Sequence, residues 1–288
     1  MTPINPVRII LVPIDFSPDS INALRYAASL ASAIRSRIVL CHVSPVTIMV
    51  TEPNDHHSSE SLADDRHKRL EKEALLLSSE YPDLKIDCIL SSGMIKDKII
   101  QTADVRNADL IVMGTHGAGS WRDVIIGTNT ADVIQSSDIP VIAVPGTYKN
   151  FRFSKIAFAT TFAEYDFQTL FRTTELFKSY ASEIFVVHVD TKSEGDSLLK
   201  QKAEFAGMVK SGITYDNIRF ETINDSHTEA ALLNFIKTHN IDIVVTSARK
   251  RNVFEKFTDR SLSRQMAFHT SVPLLVYHSE NKTSYPFF

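Results

Sequence analysis

The sequence predicts an α/β protein of two tandem domains, each an open parallel sheet of five strands flanked by helices. Short apolar runs alternate with helical segments along the chain, which is typical of doubly wound parallel sheets. The two halves also repeat each other's motifs in the same order. The length of 288 residues favours two domains, because a single hydrophobic core seldom grows beyond about 250 residues.

The first β-α-β unit carries the alternation most clearly. Apolar runs at Ile9–Ile14 and Ile38–Val43 are rich in Ile and Val and predict two buried parallel strands. Between them, Ser20–Arg35 has apolar residues at the spacing of one helical face. Ser17 or Asp19 is expected to cap the start of that helix.

The rest of the first half continues in the same way. Polar residues at 45–66 predict a loop that leads into a helix. The following elements are predicted in order: a helix at 62–79, a strand at 86–90, a helix at 96–105, a strand at 109–113, a helix at 123–135 and a strand at 141–144.

An internal duplication accounts for the second half. Cys41-His42-Val43 matches Val187-His188-Val189 at an offset of 146 positions, and Ile139-Pro140-Val141 matches Val272-Pro273-Leu274 at 133. The first half therefore has extra residues, which we assign to the loop at 45–66. Two domains follow, at 1–148 and 149–288. In the second we predict a strand at 155–161, a helix at 164–179 and strands at 184–189 and 274–277.

Composition excludes several classes of function. Lys and Arg number 31 against 34 Asp and Glu, so a net charge of -3 offers no footprint for nucleic acid or an anionic membrane. No apolar run approaches the roughly 20 residues that span a bilayer, and the first residues do not have the pattern of a signal peptide. Cys41 and Cys88 are expected to be reduced, buried thiols. These features predict a cytoplasmic protein.

A glycine-rich segment follows one predicted strand at the edge where open α/β sheets bind ligands. Asp109–Met113 runs directly into Gly114 and Gly117, and Gly127-Thr128 comes after nine further residues. Glycines permit close backbone approaches, and amides at a helix start favour a phosphate. The alternative interpretation is a tight turn followed by helix caps.

The longer pattern Gly-x2-Gly-x9-Gly-Thr resembles the ATP-binding signature of universal stress proteins. Four other blocks also resemble that family: Ile10–Ser17, Leu40–Val43, Ala108–Gly114 and Pro140–Val144. The resemblance covers the first half and, more weakly, the second. It implies two Rossmann-like domains related to the adenine nucleotide alpha hydrolases, ATP bound with Mg²⁺, and a part in the cellular stress response.

The resemblance also implies a set of binding residues. Ribose and base contacts map to Pro13, Asp15, Val43 and Met113. Phosphate contacts map to Gly114, His116, Gly117, Gly127, Thr128, Asn129 and Thr130. One departure is the loop Ala118–Trp121, which lacks the basic residue that the family often has after the second glycine.

The second half departs further from the signature. At the two offsets, Thr161 replaces Asp15, and Ser247, Lys250 and Arg260 replace the three glycines. We therefore expect no ATP site there. Arg249, Lys250, Arg251 and Arg260 are expected to form a solvated loop, and the alternative is a site for another anion.

Three functions remain to be separated: a regulatory or protective nucleotide-binding protein, an enzyme on a similar sheet, and an interaction module without nucleotide. The sequence has no Walker-type Gly-x4-Gly-Lys motif, so at most slow ATP hydrolysis is expected. His56 and His57 near Asp64, Asp65 and His67 raise zinc as an alternative, but adjacent histidines lack the usual ligand spacing, so no metal site is predicted.

Partners beyond an adenine nucleotide follow only from the apolar last strands. Such strands invite edge pairing. In the family this strand forms dimers, so we expect Val141–Val144 and Leu274–Tyr277 to pair the two domains within one chain, with a homodimer also possible. The protein partner is unidentified.

Overall fold

The computed structural model describes residues 7–45, 59–115, 127–191, 195–249 and 271–279. The chain divides into two compact units, one spanning Asn5–Phe151 and the other containing Arg152–Phe288. The division falls three residues after the boundary at 148 that the sequence predicts. We describe each unit separately.

The N-terminal unit alternates strands and helices throughout. Its elements are β1 (Ile9–Pro13), α1 (Pro18–Ile34), β2 (Arg37–Ser44), α2 (Ser59–Glu80), β3 (Ile86–Ser92), α3 (Ile95–Val105), β4 (Leu110–Gly114), α4 (Thr128–Ser136) and β5 (Val141–Val144). The strands lie in the order β3-β2-β1-β4-β5, and each neighbouring pair is parallel. The predicted five-stranded parallel sheet is confirmed.

The C-terminal unit has the same order of strands. Its elements are β6 (Lys155–Ala159), α5 (Glu164–Phe177), a 3₁₀ turn (Lys178–Tyr180), β7 (Glu183–Asp190), α6 (Asp196–Gly212), β8 (Ile218–Asn224), α7 (Thr228–His239), β9 (Ile243–Arg249) and β10 (Leu274–Ser279). The strands lie in the order β10-β9-β6-β7-β8 and are again parallel.

The two sheets share their register as well as their order. Ile9 pairs with Arg37 in the first, and Lys155 pairs with Glu183 in the second, each pair 146 positions from its counterpart. A contact between a carboxylate and the main chain is also repeated. The Asp109 carboxylate accepts from the backbone N–H groups before and at the start of β1, at 2.8 and 3.0 Å, and Asp242 does the same before and at the start of β6 at the same distances.

Two predicted boundaries are wrong. The loop predicted at 45–66 ends earlier, because α2 begins at Ser59 and is 22 residues long against 17 in α6. Part of the extra length of the first half therefore lies in a longer helix. The helix predicted from residue 123 has Gly127 as its N-cap and begins at Thr128, while residues 123–126 lie outside the described residues.

The N-terminal sheet is covered by α1, whose buried face includes Ala23, Ala27, Leu30 and Ala31. Ser17 caps this helix by accepting from the Ser20 N–H at 3.2 Å, which confirms one of the two predicted caps. Both cysteines are free: Cys41 is buried and Cys88 is half-buried. Among the helices that the structure describes, none is both long and apolar enough to cross a bilayer.

Asn22 ties the chain after β5 to α1. Its side chain is 4 % exposed, and its Nδ2 donates to the carbonyl oxygens of Pro145 (3.1 Å) and Tyr148 (2.9 Å). Its Oδ1 accepts from the Lys149 Nζ at 3.0 Å. A buried amide with these partners holds the end of the N-terminal unit against its first helix.

Asn22→Ala is expected to lower the free energy of unfolding by about 1–3 kcal/mol, because it removes a buried side-chain donor from the carbonyls of Pro145 and Tyr148. The measurement is the midpoint of urea unfolding followed by circular dichroism. Asn234→Ala, at an exposed position of α7, is the matched control, with an expected change within about 0.5 kcal/mol. Equal midpoints for the two variants would contradict this role of Asn22.

Candidate functional site

The strand order reverses between β1 and β4, and a crevice is expected there at the carboxyl ends of the strands. The two strands pair through Ile10 with Leu110 and Leu11 with Ile111, so both end at the same edge of the sheet. The chain after β1 carries Asp15 to that edge. Sequence analysis placed the candidate residues at this point.

The Asp15 side chain is exposed and held by a local turn. Its Oδ1 accepts from the Ser17 N–H at 3.0 Å, and its own N–H donates to the Ser20 Oγ at 3.3 Å. These contacts fix the carboxylate between the end of β1 and the start of α1. A fixed, exposed carboxylate at this edge is suited to accept hydrogen bonds from ligand hydroxyl groups.

Gly114 ends β4 directly beneath α1. A Cβ at this position would lie 2.8 Å from the Asp19 carbonyl oxygen and 2.9 Å from its carbon, closer than real contacts allow. The sequence predicts a close approach at this glycine, and the structure shows that the neighbour is the backbone of α1. Glycine is required here for packing, independently of any ligand.

The start of α4 is bonded to the end of β4. The Gly127 N–H donates to the Thr115 carbonyl oxygen at 2.5 Å, and the Thr130 Oγ1 donates to the Gly114 carbonyl oxygen at 2.8 Å. No side-chain hydrogen bond caps α4 at Gly127 among the described residues. Thr128 and Asn129, in the first turn, are exposed. The first amides of a helix without such a cap remain available to an anion.

The predicted base and phosphate residues therefore fall into different environments. Pro13 is buried in β1, and Val43 and Met113 are 8 % and 6 % exposed within one hydrophobic cluster, so these side chains belong to the core beneath the strand ends. Thr130 is 4 % exposed, and its hydroxyl group donates within the protein. His116 and Gly117 lie outside the described residues.

A group of side chains at the β1 and β2 end of the crevice was missed by the sequence analysis. The His42 Nδ1 lies 2.8 Å from the Ile14 carbonyl oxygen, and its ring centroid lies 4.8 Å from that of Phe16. The Arg69 Cζ lies 4.1 Å from the Phe16 centroid. The Arg66 Nη1 donates to the Ser44 Oγ at 2.8 Å. The spacing of the two arginines by three residues in a predicted helix was the available signal.

The electrostatics of this group favour a neutral imidazole. Burial lowers the pKa of His42 below its ordinary value of 6.5, and the positive charges of Arg66 and Arg69 lower it further. The hydrogen bond that the ring donates to the Ile14 carbonyl and the charge of Asp15 act in the opposite direction. At pH 7 the ring is therefore uncharged. Its Nδ1–H donates to the carbonyl and holds the ring against Phe16.

The corresponding edge of the C-terminal unit is occupied by its own side chains. Asp166 is 1 % exposed and accepts from the Thr160 Oγ1 at 2.8 Å and from the Thr161 N–H at 3.1 Å. It also accepts from the Ala163 N–H at 3.1 Å and from the Ser247 hydroxyl group. Ser247 stands where Gly114 does in the first unit. A buried carboxylate at this point disfavours an anionic ligand.

The described residues contain no group of three or more His, Cys, Asp or Glu side chains that could hold a metal ion. The His67 Nδ1 lies 3.4 Å from Glu71, and the Lys68 Nζ lies 2.5 Å from Asp64. His56 and His57 lie outside the described residues.

Comparison with known sequences identifies relatives of the first half. The model of the universal stress protein family matches residues 6–145. The universal stress protein Sll1654 of Synechocystis is 30 % identical over 138 residues, covering 48 % of this chain and 85 % of that protein. The universal stress protein MJ0577 of Methanocaldococcus jannaschii is 25 % identical over 150 residues, covering 47 % of this chain and 93 % of that protein.

A solved structure extends the likeness in fold to both units. A universal stress protein from Archaeoglobus fulgidus aligns with a TM-score of 0.75 and 19 % sequence identity, covering 94 % of this chain and 98 % of that chain. The parallel sheets, the shared strand order and the sequence matches lead to one conclusion. The chain belongs to the universal stress protein family.

Proposed function

We propose that the N-terminal unit binds ATP with Mg²⁺ in the crevice between the ends of β1 and β4, and that occupancy regulates a protective role in the stress response. The observation that carries this proposal is the start of α4, which no described side chain caps and which is bonded to the end of β4, the strand next to β1 and Asp15. The start of α4 suits phosphates, and the Asp15 carboxylate suits ribose hydroxyl groups.

The sequence pattern and the geometry support the same placement. Gly127 and Gly114 lie at the two ends of the segment that carries His116 and Gly117, and their hydrogen bonds bring those ends together. Backbone amides of the first turn of α4 would face the phosphates. Mg²⁺ would arrive bound to the phosphate oxygens and retain water ligands, as it commonly does.

We propose binding and not turnover as the main activity, with at most slow hydrolysis. Of the described side chains at this edge, His42 donates to a backbone carbonyl and Asp15 accepts from a backbone amide. The sequence also lacks the Walker-type Gly-x4-Gly-Lys motif, which supports slow hydrolysis at most. Phosphate release measured under saturating ATP tests this point.

We also propose a single nucleotide for each chain. The buried Asp166 carboxylate and the Ser247 hydroxyl group occupy the corresponding edge of the C-terminal unit. A negative charge in that position opposes phosphate, and the Ser247 hydroxyl group donates to that carboxylate. A cytoplasmic location, a protein partner that responds to occupancy, and pairing of the units or of two chains through their last strands remain predictions.

Asp15→Ala is expected to weaken ATP binding by about ten- to a hundredfold, because it removes charged hydrogen-bond acceptors for the ribose. Isothermal titration with ATP and magnesium measures the dissociation constant. Thr161→Ala, at the equivalent position of the C-terminal unit, is the matched control and should leave the constant unchanged. Unchanged affinity in folded Asp15→Ala protein would refute the site assignment.

Stoichiometry tests the asymmetry between the units. We expect one ATP for each chain, measured by titration and by chromatography of nucleotide released from denatured protein. Gly117→Val should abolish this binding, because a branched side chain replaces a glycine of the signature. Two nucleotides for each chain would contradict the blocked second site. No binding to folded wild-type protein would instead favour an interaction module.

A further inference from the structure

Two arginines of α2 stand at the β1 and β2 end of the crevice, and the family signature does not include them. Arg69 is exposed, and its guanidinium group lies over the ring of Phe16, the residue that follows Asp15 in the chain. Arg66 is half-buried and donates to the hydroxyl group of Ser44, one residue after Val43. Both guanidinium groups are therefore held close to the residues that the ribose and the base are expected to contact.

Their surroundings carry an excess of positive charge. The charged groups that act on the His42 ring, among the residues that the structure describes, are Arg66, Arg69 and Asp15. Two cations face one carboxylate, and the imidazole between them is neutral. A ligand that placed an anionic group here would meet a net attraction in a partly desolvated position.

The C-terminal unit has the same aromatic pair without the arginines. The Phe162 and His188 ring centroids are 4.8 Å apart, as in the pair of Phe16 and His42. Phe162 packs on Phe205 in place of an arginine, and Asp190 ends β7 where Ser44 ends β2. The guanidinium pair therefore occurs in the unit that keeps the glycine pattern and is replaced in the unit whose crevice is blocked.

The order β2-β1-β4 places the arginines and α4 on opposite sides of Asp15. Neighbouring strands lie about 4.8 Å apart, so the ends of β2 and β4 are separated by about 10 Å. A ribose with one of its two hydroxyl groups toward Asp15 would lie between the two positions. Its 5′-phosphates would extend toward α4, and its 2′ or 3′ oxygen would face the arginines.

We propose that Arg66 and Arg69 bind a second phosphate, carried on the 2′ or 3′ oxygen of the ribose. The preferred ligand class is then an adenine nucleotide phosphorylated at the ribose as well as at the 5′ position. Guanidinium groups suit this task because they donate paired hydrogen bonds to phosphate oxygens. The Phe16 ring fixes the plane of Arg69, and Ser44 fixes Arg66, so little freedom is lost on binding.

This inference depends on the proposed nucleotide site, and the probes are chosen to separate the two. Adenosine 5′-monophosphate, adenosine 2′,5′-bisphosphate and adenosine 3′,5′-bisphosphate are titrated into the full chain at one ionic strength. We expect one of the bisphosphates to bind at least about tenfold more tightly than the monophosphate, as an added charge-assisted contact predicts.

Arg66→Gln and Arg69→Gln should each reduce that preference by about tenfold and leave the affinity for the monophosphate unchanged. Lys68→Gln is the matched control. Lys68 is an exposed cation on the same helix, paired with Asp64, and its removal should change neither affinity. The exposed position of Arg69 makes unfolding of its variant an improbable cause of any loss, and circular dichroism checks this for both variants.

Each other result overturns the inference. Equal affinity for all three nucleotides would remove the second phosphate and leave the nucleotide site in place. Equal weakening of monophosphate and bisphosphate in the arginine variants would assign the arginines to the base or the 5′-phosphate. If Lys68→Gln weakened bisphosphate binding as much as the arginine variants do, the preference would be due to the general positive charge of the surface. If neither the three nucleotides nor ATP bound to the protein, the proposed function would be overturned as well.

Discussion

The close approach of α1 to the end of β4 at Gly114 is the constraint on which the candidate site depends. Without a Cβ at this position, the backbone of Asp19 can lie against the strand. The Gly114 carbonyl oxygen then accepts from Thr130 and holds the start of α4 beside the same strand end. The helix α1, the strand β4 and the start of α4 thus meet at Gly114. Asp15 lies just after the neighbouring strand β1.

The duplicated unit shows what happens when that constraint is replaced. Ser247 brings a side chain to the end of β9, and the buried Asp166 accepts from it and from the turn after β6. The first helix of that unit and β9 are still connected, now through the Asp166 carboxylate. The fold of the unit is preserved, although a buried carboxylate and a serine stand at the edge where the first unit has Gly114. The two copies of the sheet therefore keep one architecture with different side chains at this edge.

Much of the fold was predictable because local signals and tertiary packing agree. Buried parallel strands such as Ile38–Val43 require continuous apolar runs, and α1 shows a buried face at helical spacing. The start of α2 was misplaced because the polar residues from Ser59 onward resemble a loop in composition, although they form the first turn of the helix. The start of α4 was misplaced because the spacing of apolar residues does not indicate which residue caps a helix, and here Gly127 is the N-cap.

The sequence by itself determined the parallel sheets, the duplication and the position of the glycine pattern, because these follow from periodicity, offset and spacing. Only the tertiary structure decided what each candidate does. It showed that the close approach of α1 requires a glycine at position 114 and that Thr130 donates to the main chain. It also showed that Val43 and Met113 are buried in one hydrophobic cluster. It also brought Arg66 and Arg69 to the ends of β1 and β2. These roles depend on contacts between residues far apart in the chain, which no local pattern encodes.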